Sequence, residues 1–146
     1  MAYADGFLIP VPTKNLAAYK KMSLKAGAVW MEHGALDYKE CTGDDLAPEG
    51  TTATFPKTLN VGDDYTVVFS WIVYASKAER KRILKQVMAD PRLAKMMDPK
   101  QSPFDPAKML YGGFSVIVDM APNVAPKRKA KKAPPKKAKA KKKATR

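Results

Sequence analysis

Six side chains have the chemistry of a ligand site: Tyr19, Trp30, His33, Tyr38, Glu40 and Trp71. His33 is the only histidine. Histidine changes charge near neutral pH, so His33 is the candidate catalytic residue for moving a proton, with Glu32, Glu40 and Asp5 as acids that could orient it. The competing reading is a packing or capping role at a helix end. Tyr19, Trp30, Tyr38 and Trp71, with Glu40 as an acid among them, suit an apolar pocket that carries a few polar groups. Core packing is the alternative for each aromatic residue. Cys41 is the only cysteine, which excludes an internal disulfide framework and a multi-cysteine metal site. It stands in no nucleophile motif with His33 and reads as structural. The histidine and carboxylates have no metal-ligand spacing, so no metal is expected. Gly112 and Gly113 precede a strand rather than forming a phosphate loop, and no cofactor is expected.

The strongest charge signal lies elsewhere. The chain has 27 basic and 14 acidic residues, but Ala121 to Arg146 holds 12 of the basic residues and no acid. These are Lys127, Arg128, Lys129, Lys131, Lys132, Lys136, Lys137, Lys139, Lys141, Lys142, Lys143 and Arg146. The remaining 120 residues are nearly neutral at +1. A Lys, Ala and Pro segment cannot bury enough apolar surface to offset the entropy of ordering, so 121–146 is expected to be a disordered tail and 1–120 one domain. Ammonium groups on such a tail neutralise phosphates without reading bases, so the expected partner is the DNA or RNA backbone. The alternative is a solubilising tail. Neither the first residues nor any later apolar run suits a signal peptide or a membrane span, and a cytoplasmic location is expected.

The elements that must position the candidate residues follow from periodicity. "YADGFLI" reads as a first strand, ended by Pro10 and Pro12. Leu16, Tyr19, Ser23, Ala26, Trp30 and His33 recur at intervals of three and four, which predicts one helix with an apolar stripe, stopped at Gly34 by a left-handed residue. "ALDYKEC" is the second strand and places Tyr38 and Glu40 on one side. Thr42 to Asp64 is expected as a long loop. "YTVVFSWIVY" is a third strand that is apolar on both faces, so both should be covered. "SKAE" reads as a capping box opening a helix through Ile83, Leu84, Val87 and Met88. Asp90 with Pro91 starts a short helical turn, and Asp98 with Pro99 and Asp105 with Pro106 repeat the dipeptide in a loop. "MLYGGFSVIVDM" is the last strand.

The fold class is therefore α+β, a ferredoxin-like β-α-β-β-α-β unit with an antiparallel sheet and both helices on one face. The second apolar face implies a homodimer packed sheet to sheet.

The segments "DGFLIPVPTKNLAAYKKM", "WMEHGALDYKEC", "VVFSWIVYASKAERKRI", "MADPRLAKMMDP" and "PFDPAKMLYGGFSVIVD" together resemble the YbaA-like proteins, a bacterial family without an established function, over nearly all of residues 3–119. The resemblance implies a dimeric α+β barrel. The tail departs from the family pattern and is similar to linker-histone tails. Three readings follow: a small molecule bound or transformed between sheet and helices, a nucleic-acid accessory acting through the tail, and a structural or partner-binding dimer without a ligand.

Overall fold

The computed structural model describes residues 1–120; the expected tail, with its basic residues from Lys127 to Arg146, lies outside them. Four strands, β1 (Tyr3–Pro12), β2 (Asp37–Thr42), β3 (Tyr65–Tyr74) and β4 (Leu110–Ser115), form one antiparallel sheet in the order β2-β3-β1-β4. The helices are α1 (Leu16–His33), α2 (Phe55–Thr58), α3 (Lys77–Met88) and α4 (Pro91–Met96). The order matches the ferredoxin-like arrangement.

Strand alternation sorts the side chains. Asp5, Phe7, Ile9 and Val11 of β1 share a face with Val68, Ser70, Ile72 and Tyr74 of β3, and α1 and α3 cover that face. The core falls into two clusters. Val29, Ile72, Tyr74, Ile83, Val87 and Leu93 make one, and Ile9, Val11, Tyr19 and Val68 the other, with Phe7 packed against both. Each fully buried side chain of this size is worth about 1.5–3 kcal/mol relative to exposure. On the opposite sheet face Phe69, Leu110 and Phe114 are 48, 49 and 61% exposed, so the covering expected for both sides of β3 is complete on the helix side alone.

The first helix runs as its spacing predicts and ends where Gly34 adopts φ of 114°. There the Gly34 N–H donates to Met31 O at 3.2 Å and the Ala35 N–H to Trp30 O at 3.1 Å, which closes the helix. The first strand differs from expectation. It continues through both prolines to Pro12, because β4 pairs with β1 only as far as Leu8 and leaves one side of the strand without a partner that needs an N–H. At the other end β4 stops at Ser115, five residues short of the expected strand. Tyr3 is the last β1 residue it can pair with, and Val116 N–H to Ala2 O at 3.1 Å is the final link. The long loop also holds a short helix, α2, whose start is capped by Thr54 Oγ1 accepting from Lys57 N–H.

Half of the expected capping box forms. Ser76 Oγ accepts from Glu79 N–H at 3.1 Å, while the Glu79 carboxylate turns instead to Arg82. All three Asp-Pro dipeptides cap as their chemistry dictates, with Asp90, Asp98 and Asp105 each accepting from the N–H two residues on at 3.0 Å. They open α4 and two 3-10 turns, Pro99–Gln101 and Pro106–Lys108. Together these turns make a lid, 91–109, tied to both ends of α1.

Candidate functional site

A cavity of about 570 Å³ lies between the helix-facing side of the sheet, α1, α3 and the lid. It borders both core clusters: Ile72 and Leu93 come from one, Ile9 and Tyr19 from the other. Its walls are largely apolar, and five of the eight methionines line it, Met22, Met88, Met96, Met97 and Met109.

The polar end is built by α1 and β2. The helix spacing brings Tyr19, Ser23, Ala26 and Trp30 to the cavity, and the two-residue period of β2 brings Tyr38 and Glu40 to meet them. Close approach of the two elements depends on Gly27, where a Cβ would lie 2.9 Å from the Tyr38 ring. Tyr19 Oη donates to Glu40 Oε2 at 2.7 Å and Tyr38 Oη to Glu40 Oε1 at 2.8 Å, so one carboxylate is held by a phenol on each oxygen. Burial, followed by the Glu40 charge and hydrogen bond, pushes both phenols well above the ordinary tyrosine range. They are fixed as donors and are poor nucleophiles.

One turn after Tyr19, the Ser23 hydroxyl is buried with no hydrogen-bond partner. It lies near enough to Tyr19 to temper the rise at that phenol, though no hydrogen bond of good geometry joins the two. Tyr19, Ser23, Tyr38 and Glu40 also line a second cavity of about 660 Å³, bordered by Leu16, Lys20, Leu24 and Thr42, so this polar group is approachable from two directions.

A second carboxylate borders the first cavity in a different setting. Asp5, fully buried on β1, accepts from Tyr74 Oη at 3.0 Å and from Arg80 Nε at 2.7 Å, and Arg80 also donates to Tyr111 Oη. Trp30 Nε1 donates to Tyr74 Oη at 3.2 Å, which ties α1 into this chain. Burial works against the Arg80 charge, yet Asp5 and Tyr111 hold the guanidinium above its ordinary value. Asp5 is thereby neutralised. Glu40 takes part in no ion pair among the described residues.

Four of the residues singled out in the sequence, Tyr19, Trp30, Tyr38 and Glu40, thus meet at the cavity. Trp71 borders it along β3, but alternation turns its indole to the other sheet face, where Nε1 donates to Asp37 Oδ2 at 3.1 Å beside Phe69. His33 lies apart from the cavity lining. Its Nε2 is 3.0 Å from Asp90 Oδ2, and Arg92 bridges Asp90 to Glu32, so the histidine joins a surface cluster that fastens one end of the lid to α1. Arg92, then His33, hold the Asp90 carboxyl well below the usual range. None of the three acids considered as its orienters contacts it through a hydrogen bond: Asp5 bonds Tyr74 and Arg80, Glu40 the two tyrosines, and Glu32 Arg92. At the lid's other end Asn15 Nδ2 donates to Pro103 O at 3.0 Å. Cys41 is exposed.

Ser23 and Arg80 carry no site signal of their own in the sequence. Ser23 stood on the predicted stripe without an assigned role, and Asp5 was the available signal for Arg80, being an acid in phase with the inward-facing Phe7 and Ile9. Among the described residues no cluster of three or more His, Cys, Asp or Glu could hold a metal ion, and no helix is long and apolar enough to cross a membrane.

The family described as "Protein of unknown function (DUF1428)" matches residues 2–106. The chain is 39% identical over 119 residues to "Uncharacterized protein YbaA" of Escherichia coli strain K12, which covers 82% of this chain and 99% of that relative. The YbaA of Shigella flexneri aligns with the same identity and coverage. A match over most of the domain, joined to a relative covered almost from end to end, places this chain in the DUF1428 family, among the YbaA-like proteins.

Proposed function

We propose that the domain binds an apolar small molecule in the cavity between sheet and helices, with Tyr19, Glu40 and Tyr38 as the polar end. The observation that carries this reading is the Ser23 hydroxyl, buried beside that carboxylate and the open volume without a partner. A polar group of a ligand at this end would give that hydroxyl a partner. The aromatic and thioether walls supply apolar contact, and few polar groups converge on one end, as in small-molecule sites generally.

The test is fluorescence titration with N-phenyl-1-naphthylamine, a neutral apolar probe. The expected result is saturable binding with one probe per chain, lost in Ala26→Phe, which places a ring in the cavity from α1. No saturable binding by the unaltered protein, or binding that Ala26→Phe leaves intact, would remove the proposal.

A second activity is proposed for the tail, on the observation that 12 basic residues and no acid follow Met120 while the domain is nearly neutral. It attaches the protein to nucleic-acid phosphates without sequence preference. Binding of a mixed-sequence duplex should fall with salt at a log-log slope of about −5 to −10, from about 6 to 11 phosphate contacts. A chain ending at Met120 that binds the duplex equally well would sink this reading.

A further inference from the structure

We propose that the molecule taken by the cavity is an apolar amine, its ammonium seated on Glu40 beside Tyr19, Tyr38 and Ser23. This rests on the binding reading above and names the ligand class for that same cavity.

The two carboxylates that border the cavity supply the contrast. Asp5 is already neutralised by Arg80. Glu40 has only phenol donors, one on each oxygen, and forms no ion pair among the described residues. A carboxylate has about four lone-pair sites, so two stay free after both tyrosines have donated. An ammonium carries three donors and no acceptor. Two of its N–H groups match the free sites on Glu40, and the third matches the Ser23 oxygen. A neutral hydroxyl ligand would bring one donor to the same acceptors.

The aromatic surroundings favour the same charge. Trp30 and Tyr38 have ring centroids 6.4 Å apart, and Phe104 stands edge-on to Tyr19 at 5.7 Å. Ring faces attract cations, most strongly where water is excluded. Lys20 and Lys85, the lysines that line the two cavities, are exposed and neither ion-pairs Glu40. An anionic ligand would meet a carboxylate that no cation pairs among the described residues. The apolar part of the amine then runs along the methionine wall.

Displacement of N-phenyl-1-naphthylamine by two competitors of the same shape decides the matter in the unaltered full chain. 1-Naphthylmethylamine is an ammonium at neutral pH, and 1-naphthylmethanol is neutral. The amine is expected to displace the probe at about tenfold lower concentration, a difference a charge-assisted hydrogen bond supplies. In Glu40→Gln, with both compounds titrated directly by calorimetry, the advantage of the amine over the alcohol should be lost. Equal competition in the unaltered protein, or a preference that survives in Glu40→Gln, would overturn the amine inference and leave the cavity reading standing. If the probe itself fails to bind, both fall.

Discussion

Tyr19, Tyr38 and Tyr74 each donate to a carboxylate that stands on the sheet, two of them to Glu40 and one to Asp5. Burial, then the neighbouring negative charge, raises all three above the ordinary range. The pH consequence has a definite sign. In the unfolded chain these phenols ionise near pH 10; in the fold they keep their protons to higher pH. Their contribution to stability is therefore complete below about pH 10 and is lost as pH rises beyond it toward the folded values. A spectrophotometric titration at rising pH should show these three tyrosines ionising only together with alkaline unfolding. Ionisation of all six tyrosines in one step near pH 10, with the fold intact by circular dichroism, would contradict the arrangement. Four members of the site could be read from the chain because they lie within 22 residues on two adjacent elements, where helical and strand periods alone bring them to one place. The Asp5–Arg80 pair joins residues 75 apart, and no local period encodes that. Trp71 was assignable to a face, but which face received the helices depended on the whole sheet.

Elements were legible wherever a backbone rule acts within a few residues. Gly34 ends α1, Ser76 opens α3 and the Asp-Pro dipeptides open their turns, because each rule needs only a side chain and the next few amides. Strand ends were less legible, since a strand ends where its partner ends. Pro10 and Pro12 look like terminators in isolation, yet β3 continues to pair beside them; "VIVDM" looks like a strand, yet β1 has no residue left to offer it. The lid illustrates the same principle between elements. Its turns are local, but its placement depends on Asn15 at one end of α1 and on Glu32 and His33 at the other. His33, the candidate for proton transfer, makes its contact to Asp90, 57 residues away in sequence.

For the whole molecule, the outward face of the sheet is the unfinished part. We propose that a second copy covers Phe69, Leu110 and Phe114, in line with the two-sided apolar pattern of β3. A stable dimer buries about 800 Å² on each partner. Light scattering of the full chain should return twice the monomer mass, and Phe69→Asp with Phe114→Asp should return the monomer mass with thermal stability largely kept, because the two side chains are 48 and 61% exposed in the single chain. A monomeric unaltered protein at micromolar concentration would remove the dimer. With two tails per particle, attachment to a polyanion would gain from effective concentration. The interior has its own consequence at this scale. Methionine is unbranched and loses up to about 1.5–2 kcal/mol of rotamer freedom when held still, and five of them wall the cavity. A guest that gripped every one would forfeit in side-chain entropy much of what it gained in contact, so under the proposed binding a loosely held hydrocarbon would fare better and discrimination would rest on the one rigid corner where Glu40 is pinned.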